Sequence, residues 1–141
     1  MSTVFSLSSF LVMPFWGLMI FLPTWKWTRR VLTSPWVVAP AALLYVGLVL
    51  PDITNIFASV SNPELDVIAD SLGTPAGATI AWVHFLAFDL FVGRWAYLDS
   101  RERGVNVFVM APVLFLTLML GPLGFLLYLG LRASRLFQAQ A

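Results

Sequence analysis

Apolar residues dominate this chain in four runs, near residues 4–22, 35–50, 76–98 and 105–131, and polar residues collect between them. A helix needs roughly 20 residues to cross about 30 Å of hydrocarbon, so the pattern predicts four membrane-crossing helices. The second run is short for that task, and the fourth is long enough to tilt or bend. Ser34-Pro35 and Thr74-Pro75 each set a capping side chain before a proline, the signature of a helix start. Gly104 suits the turn between the third and fourth runs. Between the second and third runs, residues 51–74 carry two apolar stripes at helical spacing. Ile53, Ile56, Phe57 and Val60 form one; Leu65, Ile68 and Leu72 form the other. Two short amphipathic helices at the outer interface fit them, as a plug over the bundle or as a lid over a pocket. The expectation is one domain, residues 1–141, all-α, a polytopic four-transmembrane-helix bundle with short helices in the outer loop.

Composition agrees. Of 141 residues, 60% are hydrophobic and 11% charged, against about 25% charged in an ordinary soluble domain. This chain cannot cover itself with charge, so lipid is its solvent. A net charge of +1 without a basic run excludes a nucleic-acid partner. The absence of cysteine removes disulfides, thiolate metal sites and cysteine nucleophiles. With one histidine and no HExxH-type partner, no ordinary metal or haem site is expected, and no cofactor is implied.

Charge also sets an orientation. The first connection holds Lys26, Arg29 and Arg30, with Trp25 and Trp27 as interfacial anchors; the third holds Arg101 and Arg103 with Asp99 and Glu102. The second holds Asp52, Glu64, Asp66 and Asp70 and no base. Positive-inside then predicts a cytoplasmic first and third connection and both termini outside. Arg132 and Arg135, at the end of the fourth run, argue the other way. The first run follows Met-Ser-Thr without a basic leader or a small-residue cleavage site, so it reads as a retained span, with no transit segment before it. A bacterial inner membrane is the simplest expectation, a mature organellar protein the alternative.

Three groups in the third run are costly in hydrocarbon. With His84 at 0° on a helical wheel, Asp89 falls at about 140° and Arg94 at about 280°, so they share no face. Arg94 can extend its side chain to the headgroups. Asp89 has no such escape: mid-span placement costs about 2.5–3.5 kcal/mol even on the lenient insertion scale. Desolvation favours it as the neutral, hydrogen-bond-donating acid. Its face includes Trp82, Phe85, Gly93 and Ala96, and Gly93 allows close approach. Tyr45, Thr117, Tyr128, Ser8 and Ser9 are its candidate partners, in interhelical packing or in ligand binding and proton transfer. His84 reads either as a hydrogen-bonded interface residue or as a general acid or base. In the fourth run, Pro112 and Pro122 free the carbonyls of Phe108 and Leu118, with Gly121 and Gly124 beside the second break. A packing kink and a ligand-accepting carbonyl are the two readings.

The stretch "AWVHFLAFDLFVGR", followed by "LGPLGFLLY", resembles the ABA4-like proteins. The likeness extends to "LVMPFWGLMIFLP" and "LLYVGLVL". Its specific part is the W-x-H-x-x-x-x-D-L-x-x-x-R spacing of Trp82, His84, Asp89, Leu90 and Arg94. The resemblance implies a small four-helix membrane protein involved in converting the epoxy-carotenoid violaxanthin to the allenic neoxanthin. That isomerisation opens an epoxide and removes a proton from a neighbouring polyene carbon, which needs an acid and a base in an apolar slot. Asp89 as acid and His84 as base are the candidate catalytic pair. Trp82, Phe85, Arg94, Tyr45, Thr117 and Tyr128 are candidate ligand contacts. Partners expected are a carotenoid or other apolar polyene, the bilayer, and further copies or a larger membrane complex. The competing expectation is a non-catalytic accessory subunit of such a complex. An ion or proton carrier fits less well, since Asp89 is the lone deep acid and no internal repeat is found.

Overall fold

The computed structural model describes residues 1–134; Arg135 lies outside the described residues. Within them every regular element is helical: α1 (Ser2–Ser8), α2 (Met13–Phe21), α3 (Lys26–Thr33), α4 (Ala39–Val49), α5 (Ile53–Ser61), α6 (Leu65–Leu72), α7 (Pro75–Glu102) and α8 (Val107–Ala133). Four segments are long and apolar enough to cross a membrane, Ser2–Phe21, Pro35–Ser61, Pro75–Glu102 and Val107–Ala133. The all-α membrane-bundle expectation holds.

The boundaries shift for local reasons. Thr74 caps α7 by accepting the Gly77 N–H at 3.0 Å, and Ser34 accepts the Trp36 N–H at 3.4 Å before the turn into α4. The second segment does not stop at residue 50. Pro51 sits within a 3₁₀ turn, Leu50–Asp52, which feeds α4 directly into α5. The first of the two short outer helices therefore continues the second apolar segment, while α6 stands apart. The first connection, read from sequence only as a charged link, contains α3. Gly104 takes φ 67° and turns the chain from α7 to α8.

The long helix α7 is the spine. It packs against α1, α2, α3, α4, α6 and α8. The buried seam is made by Trp16, Met19, Leu32, Leu90, Tyr97, Leu114 and Tyr128 among others. The outward faces are apolar instead: Phe21 is 80% and Phe108 83% exposed. That inversion suits a chain whose solvent is hydrocarbon.

The fourth segment is folded back on itself. Leu120 (φ −138°, ψ 41°) and Gly121 (φ 5°, ψ −78°) leave the helical region just before Pro122. A Cβ at Gly124 would overlap the backbone of Thr117, whereas seven residues of straight helix separate two positions by about 10 Å. Trp95 of α7 meets Phe125 and Tyr128, and Asp99 meets Arg132. The return limb thus runs alongside α7 toward the turn where α8 began. Each limb has about a dozen residues and spans about 20 Å, short of the hydrocarbon thickness. The expectation that the last run carries the chain to the side opposite its start is corrected here: Ala133 comes back to the Asp99 end of α7, called the inner end after the positive-inside expectation. The break removes the conflict that Arg132 posed, because that residue joins the other basic ones. Pro112 introduces no such break.

Candidate functional site

At the outer end, α4, α5, α6 and α7 enclose a cleft of about 390 Å³. Ile56, Val60, Ile68, Leu72, Ile80 and Phe85 supply its apolar wall, and Tyr45, Asp52, Asn55, Ser59, Ser71 and His84 its polar groups. The close approach of α6 to α7 depends on Gly77, where a Cβ would collide with the backbone of Ser71. The His84 ring stacks on Phe88 at 4.7 Å between centroids and meets Tyr45 edge-on at 5.4 Å. Asn55 donates from Nδ2 to the Asp52 carboxylate at 2.5 Å, which fixes that acid at the cleft wall.

Below the cleft, α7 carries an aromatic stripe. His84, Phe88, Phe91 and Trp95 lie within about 60° of one another on the helix. Phe88 and Phe91 line an apolar hollow of about 220 Å³ with Val38, Ala42 and Ala87. Phe91 and Trp95 line the next, about 240 Å³, with Val92 and Phe125 of the return limb. From His84 to Trp95 these hollows follow α7 for about 16 Å. The result is a ring-lined track with the polar cleft at its His84 end and, at its Trp95 end, the Arg132 guanidinium 5.7 Å over the Trp95 ring.

Asp89 faces elsewhere. Its carboxyl packs against Gly121 at the tip of the folded α8; a Cβ there would lie 3.1 Å from Asp89 Cγ and overlap one carboxylate oxygen. Pro122 cannot bond back along the helix, and the acid lies against the residue just before it, at the break in α8. Asp89 does not line the outer cleft, and His84 and Asp89 do not converge on a common space there. One turn on, Gly93 is covered by the ring of Trp16, the close approach that its lack of a side chain permits.

The other residues singled out from sequence are placed as follows. Tyr45 and Phe85 join His84 in the cleft. Trp82 lies against Phe5 at 5.3 Å and donates its indole N–H to Ser9 Oγ at 3.4 Å. Thr117 donates to the Val113 carbonyl within its own limb at 2.9 Å, and Ser8 to that of Phe5 at 2.7 Å. Arg94 does not run to the headgroups: Nε and Nη2 donate to the carbonyls of Leu32 and Thr33 at 2.6 and 2.7 Å. Those are the orphan acceptors at the end of α3, a natural place for a cation. Tyr128 donates to Asp99, the centre of an inner network. Arg103 reaches Asp99 at 2.8 Å and Arg132 at 3.0 Å. Sequence reading missed Asp52 and Asn55 as cleft residues and Asp99 as a hub. Asp99 is four residues before Arg103, a visible pair; its bonds to Tyr128 and Arg132 exist only because α8 folds back. Among the described residues, no group of three His, Cys, Asp or Glu could hold a metal.

A family model described as "ABA4-like: ABA DEFICIENT 4-like" matches residues 3–128. Protein ABA DEFICIENT 4, chloroplastic, from Arabidopsis thaliana is 30% identical over 111 residues, covering 74% of this chain and 50% of the plant protein. The chain therefore spans about half the length of that curated relative. No solved structure matches.

Proposed function

Since the chain belongs to the ABA4-like family, we propose that it binds a carotenoid along α7 and isomerises an epoxide-bearing end of it in the outer cleft. The observation that carries this reading is the aromatic track, which runs from Trp95 into a cleft lined by Asp52, Asn55 and His84. A rigid polyene gains ring contacts along Phe88, Phe91 and Trp95, and an oxygenated end ring meets Asp52, Asn55 and His84.

In the isomerisation the epoxide C–O bond breaks, the oxygen takes a proton, and the neighbouring polyene carbon gives one up, so no atom is gained or lost. His84, whose imidazole lines the cleft, is the base. Asp52 shares the cleft with it and is the acid that returns a proton to the oxygen. Asp89 is a positioning group that holds the tip of α8 rather than a reacting one.

The test is to express the chain in a host that accumulates an epoxy-carotenoid and to separate the pigments chromatographically. We expect an allenic product with the natural sequence, and its loss in His84→Ala and in Asp52→Asn at equal protein level. Pigments unchanged by the natural sequence would overturn the reaction; a product that persists in both variants would overturn the residue assignment.

A further inference from the structure

A second cleft, of about 560 Å³, opens at the inner end of α7 beside α3. Lys26, Arg29, Arg30 and Arg101 line it, and no carboxylate does. The whole chain has eight lysines and arginines, so half of them border this one space. The remaining bases described are already committed: Arg103 and Arg132 to Asp99, Arg94 to the end of α3. Among the described residues every ion pair ends on Asp99, which leaves the four cations of the cleft without a carboxylate partner.

The walls are anchored. Tyr97 donates its hydroxyl to the Pro23 carbonyl at 2.7 Å, and Thr28 to that of Leu22 at 2.8 Å. Arg101 is tethered through Nη2 to the Val105 carbonyl at 2.5 Å, and its Nε is buried with no hydrogen-bond partner. Like charges crowded beside an apolar wall repel unless an anion joins them. The position of α3 says which kind. It lies between segments that end at Phe21 and begin at Pro35, and Trp25 at its start and Trp27 on it are 48% and 46% exposed, as in an interfacial aromatic belt. Arg30 stays over the Trp27 ring, 5.1 Å from its centroid.

We propose that this cleft binds the phosphate of an anionic membrane lipid, whose acyl chains run back along the adjoining apolar faces. The site is separate from the outer cleft and does not depend on the carotenoid reading.

The test uses the full chain in a neutral detergent, titrated calorimetrically with dihexanoyl-phosphatidylglycerol, dihexanoyl-phosphatidylcholine and inorganic phosphate. The anionic lipid should bind about tenfold or more tighter than the zwitterionic one, and weaken with added salt. Lys26→Gln/Arg29→Gln, two exposed positions, should lose about tenfold in that affinity while circular dichroism stays unchanged. His84→Ala should bind the lipid like the natural chain. Equal binding of the two lipids, or undiminished binding by the double variant, would overturn the site. Inorganic phosphate displacing the anionic lipid at equal concentration would overturn the lipid assignment in favour of a soluble anion. Should the double variant unfold, Lys26→Gln alone, expected to weaken binding several-fold, decides in the same way.

Discussion

The two ends of α7 are built differently. At its inner end, long polar side chains are tied down: Asp99 holds Arg103, Arg132 and Tyr128, Arg94 closes α3, and Tyr97 is pinned to Pro23. At its outer end His84 is exposed among the rings of Tyr45, Phe85 and Phe88, and Asp52 has an amide partner across a single turn. Satisfied polar networks rigidify, and groups left open in a cleft are those that can meet a ligand. The inner end therefore reads as the part that fixes helix positions, and the outer end is where the proposed reaction takes place. Asp89, packed against Gly121, is placed with the first in this proposal.

Substitutions break this contrast in a definite order. The largest loss is expected at the hub. Asp99→Ala removes the carboxylate that Arg132 and Tyr128 meet across the fold-back and loosens the return limb of α8. Hydrogen bonds to a charged group contribute about 1.5–3 kcal/mol each, but Arg103 and Arg132 are 36% and 38% exposed, and screening trims their share. A net loss of about 2–3 kcal/mol should be seen by denaturant unfolding in detergent micelles. Wild-type stability in this variant would mean that the folded-back limb is held by apolar packing alone.

Gly121→Val comes next. A branched side chain there must displace the Asp89 carboxyl, and overpacking of this kind costs about 1–3 kcal/mol. The contact makes the effect conditional: with Asp89→Ala already present, the added loss should shrink by half or more in a double-mutant cycle. Additive losses would show that the two residues do not touch. The smallest effect is expected from His84→Ala. It removes aromatic contacts with Phe88 and Tyr45 at an exposed site, so stability should change by less than about 1 kcal/mol, while product formation stops. A large destabilisation would make His84 a packing residue and remove the contrast.

What the sequence disclosed, and what it hid, follows from the range of each interaction. Runs of apolar residues, Thr74-Pro75, Ser34-Pro35 and Gly104 act within a few residues, so the membrane helices and their starts were readable. Gly93 announced a close approach without saying that Trp16 makes it. Pro122 with Gly121 and Gly124 announced a break, but not its angle. That angle depends on Asp89 and Trp95 of another helix. Because the fold-back was hidden, the side on which Arg132 lies was misjudged, and Asp99 looked like an ordinary interfacial charge. The candidate site divides in the same way. His84, Tyr45 and Phe85 were singled out and meet in one cleft, whereas Asp52 and Asn55 enter it only because α4 runs on through Pro51 into α5.

The most direct measurement is the visible absorption spectrum of the chain purified in mild detergent from a carotenoid-producing host. A polyene held in the aromatic track predicts structured visible bands that travel with the protein, and their loss in Phe88→Ala/Phe91→Ala when helicity is retained. A fully folded, colourless protein, or bands that persist unchanged without those two rings, would contradict it.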